Sequence, residues 1–280
     1  MKITASMVKE LREITGAGMM DCKKALNECD GDMEAAKEFL RKKGQAIANK
    51  KSSRETKEGA VSVCLKGKKA ALVKIACETD FVAINDNFTK FIAKIAEQAV
   101  EAGTADLMEQ TTSAGPIKEQ FVEAIAKLGE NIVLIDGQYW DAGDNSVINF
   151  YTHTNNKIAV LIELEVEPGT DREKAMEAAK NIAMHVAASD VKAISENDLD
   201  EAVVEKEKLF LMDQARESGK PEAIIEKMVI GRLNKFKKEV CLLDQNYVKD
   251  PDRTIEQYIA DEGRAAGGAL TVKRFFKETI

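Results

Sequence analysis

The sequence predicts an α+β fold with two related subdomains. Apolar residues in positions 1–44 recur at helical spacing, which predicts three short helices. From Val61 the apolar period changes to two, which predicts strands. A strand hairpin followed by a helix then occurs twice along the chain. We therefore predict an N-terminal helical segment and a core of antiparallel sheets covered by helices.

Each of the three N-terminal helices has a predicted stop signal. The expected ends are at Gly16, Gly31 and Gly44, with glycine as the residue that follows the last helical turn. The polar stretch 45–58 is rich in lysine and arginine and lacks large apolar residues. We predict that it is a solvated linker, with contact to RNA or the ribosome as the alternative.

Glycine and proline also mark the elements of the first subdomain. Gly67 is placed to turn a strand hairpin, and Pro116 is placed to begin a helix that stops at Gly129. The predicted elements, in chain order, are strands near 61–65 and 70–77, helices near 88–102 and 117–128, and a strand at 131–136.

The second subdomain repeats this order and adds a pair of long helices. Asn155-Asn156 is a plausible hairpin turn because asparagine tolerates positive φ. Ser218 to Pro221 is predicted to connect the two long helices. The predicted elements are strands near 146–153 and 157–166, a helix over about 175–186, helices near 200–217 and 222–237, and strands at 239–243 and 269–276.

The predicted domains follow from these elements. Residues 1–54 form the three-helix domain with its basic linker, and residues 55–140 form the N-terminal core subdomain. Residues 141–280 form the C-terminal core subdomain. A projecting helical hairpin, resembling a short coiled coil, is predicted as an insertion at about 190–238.

Composition excludes several classes of function. A net charge of −7 disfavours general nucleic-acid binding, which needs a basic surface. Five cysteines without a CxxC pair, and only two histidines, predict reduced thiols rather than disulfides or a zinc site. We find no phosphate-binding loop, hydrolase elbow or zinc-protease motif. The sequence therefore predicts a cytoplasmic protein without a membrane span, a cofactor or a catalytic site.

The segment Thr15 to Leu26 does not fit a simple core. Met19 and Met20 are adjacent in a glycine-bounded turn before a helix. Neighbouring residues of a turn do not easily face one small core, and methionine is common at adaptable binding surfaces. Core packing and a partner surface both remain open for this pair.

The segment Cys77 to Ala83 is the second exception. Phe81 stands beside Asp80 in a predicted connection between a strand and a helix. The apolar stripe of that helix begins only at Phe88 and fills its face without Phe81. Phe81 is therefore either a protruding aromatic or a buried anchor of its own loop, with Asp80 as a local cap.

These two segments carry a resemblance to a known family. LREITGAGMMDCKKAL at 11–26 and CETDFVA at 77–83 resemble the two signatures of the elongation factor Ts family of translation factors. The similarity covers about residues 3–276. Further collinear matches are KLGEN at 127–131, IAMHVAAS at 182–189, VVEKE at 203–207 and the SGKP, EKMV and GR motifs within 218–232.

The resemblance implies both a fold and an activity. Members of this family have a ubiquitin-associated-like (UBA-like) three-helix domain, a two-subdomain α+β core and an inserted helical hairpin. They are guanine-nucleotide exchange factors that bind elongation factor Tu in its GDP-bound and nucleotide-free forms. Self-association through the hairpin is a further expectation.

The resemblance also implies residues that contact elongation factor Tu. In the second signature, Phe81 resembles an aromatic wedge into the GTPase domain, and Asp80 resembles its partner near the magnesium site. The remaining partner-binding residues that the resemblance implies are Thr79, Val82, Met19, Met20, Lys23, Gly129, His153, Tyr247 and Val248.

The sequence departs from the family pattern at two places. Ile84 replaces a residue that is usually basic, so one polar contact with the partner is expected to be missing. The chain ends at Ile280, where some relatives add a helical module, and we expect the contacts of that module to be missing too.

Overall fold

The computed structural model describes residues 3–217 and 221–280, which fall into two compact units. Within these residues, unit 1 comprises 3–140, 152–159 and 278–280, and unit 2 comprises 141–151 and 160–277. The predicted α+β class is confirmed. The predicted domain boundaries at 54 and 140 stay predictions, although the main division of the chain falls between Trp140 and Asp141.

Unit 1 begins with three helices that share a small apolar core. Leu11, Cys22 and Leu26 are fully buried in it. The first and third helices begin where Thr4 and Asp32 accept backbone amides as N-caps. The three helices are α1 (Ala5–Thr15), α2 (Met19–Glu28) and α3 (Met33–Lys51).

The prediction that Gly44 ends the third helix is wrong, because α3 continues to Lys51. Gly44 is buried, and a Cβ there would lie 3.5 Å from Cγ1 of Val122 on a neighbouring helix. Gly44 therefore faces a neighbouring helix from the interior of α3, where a methyl group would be in ordinary contact. Ala48, one turn later, is also buried in the main core of the unit. The predicted linker thus starts about seven residues later than expected.

The main core of unit 1 lies between a three-stranded sheet and two helices. The sheet has the order β1-β2-β5, and β1 pairs antiparallel with β2 around the predicted turn at Gly67. The predicted strands and helices of this subdomain are confirmed. Their bounds are β1 (Glu58–Lys66), β2 (Lys69–Cys77), α4 (Asp80–Ala83), α5 (Asp86–Ala102), β3 (Thr111–Thr112), β4 (Gly115–Pro116), α6 (Ile117–Leu128) and β5 (Val133–Asp141).

Unit 2 is built around a second three-stranded sheet, of order β10-β7-β6, with two helices that share its apolar core. The predicted turn before β7 is confirmed, with Asn156 at φ 54°. The bounds are β6 (Ser146–Thr152), β7 (Ile158–Val166), α7 (Arg172–Ala188), α8 (Glu201–Arg216), α9 (Glu222–Val240), β8 (Asn246–Tyr247), β9 (Asp250–Thr254), α10 (Ile255–Ala266) and β10 (Leu270–Thr279).

Two sequence interpretations of unit 2 need correction. Residues 239–243 are not a strand: α9 continues to Val240, and a 3₁₀ turn follows at Leu242–Asp244. Their apolar side chains are buried one after another, which resembles a strand in sequence. Helix α10 was not predicted, although Thr254 and Gln257 form a capping box at its start.

The long helices α8 and α9 pack on each other as predicted. Leu211, Ala215, Ile225 and Val229 form their own apolar cluster, separate from the cluster at the base of the hairpin. The predicted connection at 218–221 falls largely on residues 218–220, which lie outside the described residues. Among the residues that are described, no helix combines the length and apolar character needed to cross a membrane.

Gly44 provides a test of the corrected helix. Gly44→Ala should leave the free energy of unfolding unchanged or raise it by up to about 1 kcal/mol, because alanine favours a helix interior and its Cβ meets only ordinary contact distances. Chemical denaturation measures this. Gly44→Leu is the control and should destabilise by overpacking. A loss of about 1 kcal/mol or more for the alanine variant would favour the earlier helix end.

Candidate functional site

The segment that follows β2 carries the most exposed aromatic side chain of unit 1. Thr79 is the N-cap of α4, a single helical turn over Asp80–Ala83. The side chain of Phe81 is 78% exposed and that of Ile84 is 73% exposed. The structure therefore answers the question left open by the sequence: Phe81 does not anchor its loop in the core.

The backbone of this turn is nevertheless well fixed. The Thr79 hydroxyl accepts the Val82 amide at 3.4 Å, and a carboxylate oxygen of Asp80 accepts the Phe81 amide at 2.9 Å. Ala83 is buried, and Val82 packs partly against the main core of the unit. The turn therefore places Phe81 outward while its other side is held by the core.

Glu130, which follows α6, holds the start of the turn. One of its carboxylate oxygens accepts the backbone amides of Glu78 and Thr79, both at 3.0 Å. The other oxygen accepts the Thr79 hydroxyl at 2.6 Å. Because α4 starts directly after these donors, Glu130 is bonded to the residues that immediately precede Asp80 and Phe81.

Glu78 connects the same two segments of the chain, but here Glu78 is the hydrogen-bond acceptor. Its carboxylate accepts the Asn131 amide at 2.6 Å and pairs with Arg54 at 3.3 Å, while the Asn131 side chain donates to the Arg54 carbonyl at 2.9 Å. Burial alone would raise the pKa of Glu78, but the hydrogen bonds from Asn131 and Arg54 lower it below the ordinary 4.5. Residues 78–79 and 130–131 thus hold each other.

Gly129, a predicted contact residue, belongs to the same cluster. It is exposed, adopts φ 77° after the end of α6, and its carbonyl accepts Nζ of Lys51. Lys51 is the last residue of α3. Hydrogen bonds to backbone groups therefore bring four predicted site residues, Thr79 to Val82, together with a further one, Gly129.

Met19, Met20 and Lys23 occupy a different element of the unit, the first turns of α2. The side chains of Met19 and Met20 are 57% and 75% exposed, and Lys23 is exposed as well. Cys22, on the same helix, is fully buried. Both methionines thus lie at the surface, although the sequence alone left core packing open.

The remaining predicted residues are placed differently. His153 is exposed, and its amide donates to Ile158 across the turn before β7. Tyr247 is 2% exposed and stacks on Tyr258 with ring centroids 4.4 Å apart, so its side chain is not a surface group in this structure. Val248 is 49% exposed. A partner contact by Tyr247 stays a prediction.

Buried His185 fixes the segment that carries Val248. Its Nδ1 accepts the Val248 amide at 3.2 Å, so the ring proton lies on Nε2 and points to the Gln245 side chain at 2.8 Å. Burial lowers the pKa of His185, and the Gln245 contact opposes that shift. The histidine is therefore a neutral packed side chain.

The chemistry of the other reactive groups is unremarkable for catalysis. Burial raises the pKa of the Cys77 thiol to about 12, which keeps it protonated and a poor nucleophile. No cluster of three or more His, Cys, Asp or Glu side chains suited to a metal ion occurs in the described part of the chain. The candidate site is an exposed apolar surface on a turn held by hydrogen bonds.

Comparison with known proteins identifies the family. The family model described as "Elongation factor TS" matches residues 78–279. The elongation factor Ts of Clostridium novyi is 44% identical over 283 residues, covering 98% of this chain and 92% of the relative. That of Hydrogenovibrio crunogenus is 46% identical over 265 residues, covering 92% and 87%. The chain belongs to the elongation factor Ts family.

The relatives named elongation factor Ts also cover the N-terminal helices, which lie before the match to the family model. The relative from Desulfovibrio desulfuricans is 44% identical and aligns with 98% of this chain and 96% of its own length. The match to the elongation factor Ts model begins at Glu78, the first residue of the Glu78–Glu130 cluster. Family membership therefore extends over both the Met19-Met20 segment and the Phe81 segment.

The Glu78 carboxylate provides a test of the cluster by pH. Its pKa is lowered in the folded state, so its stabilising contribution is present above the ordinary pKa of 4.5 and is lost as pH falls through the lowered value. Thermal unfolding of Glu78→Gln should therefore depend less on pH below about 4.5 than that of the parent. Parallel curves of Tm against pH for the two proteins would show that Glu78 is not anchored as described.

Proposed function

We propose that this chain is a guanine-nucleotide exchange factor for elongation factor Tu. Membership of the elongation factor Ts family makes it a translation elongation factor, with a role in protein biosynthesis. In the proposed activity it binds GDP-bound elongation factor Tu, promotes release of GDP, and leaves when GTP refills the site. The exchange takes place in the cytoplasm and needs no covalent step.

The observation that carries this proposal is the exposure of Phe81 on an anchored turn. A large aromatic side chain that is 78% exposed has most of its surface available to a partner. The hydrogen bonds at Thr79 limit the conformations that the turn would lose on binding. Interfaces draw most of their free energy from a few such aromatic anchors.

Exchange follows from linkage between the two ligands of the GTPase. Phosphate contacts and Mg²⁺ hold GDP in such proteins. Suppose that Phe81 inserts only when the GTPase domain has a conformation that binds GDP poorly. Binding of this chain and binding of GDP to the GTPase then weaken each other by the same free energy. Asp80, exposed and adjacent to Phe81, would act near the magnesium site as a negative charge.

The other contact residues extend this interface. The exposed Met19, Met20 and Lys23 of α2 offer an adaptable apolar surface with one positive charge. Gly129, His153 and the Tyr247-Val248 segment are proposed as lesser contacts. Pairing of two copies through the hairpin of α8 and α9 also stays a proposal.

RNA binding through the basic stretch is disfavoured by the contacts of its side chains. Within residues 45–58, Arg54 pairs with Glu78 and Lys57 pairs with Glu55. These acidic partners neutralise the charge that phosphate groups would need. The negative net charge of the chain acts in the same direction.

The Phe81→Ala variant tests the proposal. We expect GDP release from elongation factor Tu to slow strongly at equal factor concentration, because loss of an interface anchor costs about 2–4 kcal/mol. The melting temperature should hardly change, since the side chain is exposed. Release of a fluorescent GDP analogue measures the effect, and Ile135→Ala, at a 50% exposed apolar residue, is the control.

Two results would contradict this assignment. Full exchange activity of Phe81→Ala would remove the residue from the interface. A loss of about 3–5 kcal/mol of folding stability would show instead that the ring is part of the core.

The methionine pair gives an independent prediction. Met20→Glu should weaken the complex with elongation factor Tu, because the new charge would be desolvated at an apolar contact. Met20→Leu should retain most of the affinity. Calorimetric titration measures both, with circular dichroism as the check on folding. Equal affinities for the two variants and the parent would place the pair outside the interface.

A further inference from the structure

We propose that Glu130 is a positioning residue for nucleotide exchange, acting through Phe81. The inference rests on the proposed function, since it assigns a role within the same site. Glu130 is not among the residues that the family resemblance implies as partner contacts. Its carboxylate is directed at the loop that presents Phe81.

Both oxygens of the Glu130 carboxylate accept hydrogen bonds. One oxygen accepts two consecutive backbone amides, those of Glu78 and Thr79, and the other accepts the Thr79 hydroxyl. Bonds of this kind to an ionised acceptor are shorter and stronger than neutral ones. Three donors on two adjacent residues fix both the place and the orientation of the backbone there.

The Thr79 hydroxyl connects the Glu130 carboxylate to α4. It donates to Glu130 at 2.6 Å and accepts the Val82 amide at 3.4 Å, so one oxygen joins the carboxylate to the first turn of the helix. Phe81 lies between the two ends of this connection. The direction in which its side chain leaves the surface therefore depends on Glu130.

The two segments, 78–79 and 130–131, each accept hydrogen bonds from the other, which distinguishes this arrangement from an ordinary helix cap. Glu78 returns a carboxylate bond to the Asn131 amide, the residue after Glu130. Gly129, the residue before Glu130, is itself a proposed contact. The two connections thus hold the Phe81 turn and the Gly129 segment in one arrangement, as a preorganised surface needs.

An exchange assay with a double-mutant cycle tests the role. Glu130→Ala should lower the rate of GDP release from elongation factor Tu by about tenfold, a size expected for residues of one network. In the Phe81→Ala background the same change should have less than about a twofold effect, because Glu130 has lost the side chain it positions. If Glu130→Ala only lowered the amount of folded protein, the rate of GDP release would fall by the same factor in both backgrounds.

Matched variants separate positioning from charge and from stability. Glu130→Gln should recover most of the activity, since its amide oxygen can accept the two backbone amides and its NH₂ can donate to Thr79. Glu101→Ala removes a similar carboxylate, which accepts the Ser113 amide and hydroxyl at 2.7 and 3.0 Å, and should have no effect. Thr79→Val removes only the hydroxyl link and should give a smaller loss in the direction of Glu130→Ala.

Hydrogen exchange of the free chain gives a readout without the partner. The Glu78 and Thr79 amides should exchange faster in Glu130→Ala than in the parent, and Glu130→Gln should restore their protection. If Glu130→Ala does not fold, Thr79→Val and Glu130→Gln carry the same comparison. Unchanged protection of the Glu78 and Thr79 amides in folded Glu130→Ala, or of the Val82 amide in Thr79→Val, would overturn the anchor.

The outcomes of the exchange assay are distinct. Additive effects of Glu130→Ala and Phe81→Ala on the rate of GDP release would overturn the positioning role. It would also be overturned if Glu130→Gln restored the amide protection but still released GDP as slowly as Glu130→Ala. A parent chain that does not accelerate GDP release would overturn the proposed function itself. In that case the hydrogen-exchange result would still show whether Glu130 anchors the loop.

Discussion

The hydrogen bonds between Glu130 and the backbone of Glu78 and Thr79 are the contacts on which the site depends. An exposed Phe81 is useful to a partner only if the backbone beneath it is fixed, because a free loop would lose conformational entropy on binding. The carboxylate satisfies two backbone donors at the end of β2, where strand pairing stops. It also lets the chain turn outward without leaving those donors unpaired.

The same principle explains how exposed and buried side chains are divided. Val82 and Ala83 pack toward the core of unit 1, while Phe81 and Ile84 remain in water. Scattered exposed apolar residues are common, so it is the fixed backbone beneath Phe81 that supports its proposed role as a partner contact. Met19 and Met20 repeat this arrangement on α2, where both are exposed while Cys22 is buried.

Local patterns predicted most of the elements but not the contacts that join them. The stripe from Phe88 was sufficient for α5, and Pro116 and Gly129 were sufficient for α6. Gly44 misled because a glycine in the interior of a helix has the same sequence signal as one that ends a helix. The role of Glu130 could not be seen at all, since its donors lie 51 and 52 positions earlier in the chain.

The most direct test of the account is where Phe81 goes when the complex forms. A photo-reactive phenylalanine analogue placed at position 81 can be illuminated in the presence of GDP-loaded elongation factor Tu, and the cross-linked peptide can be identified by mass spectrometry. We predict a cross-link to the GTPase domain of elongation factor Tu that competes with bound nucleotide. A cross-link to another domain, or none in a preparation that still releases GDP at full rate, would contradict the account.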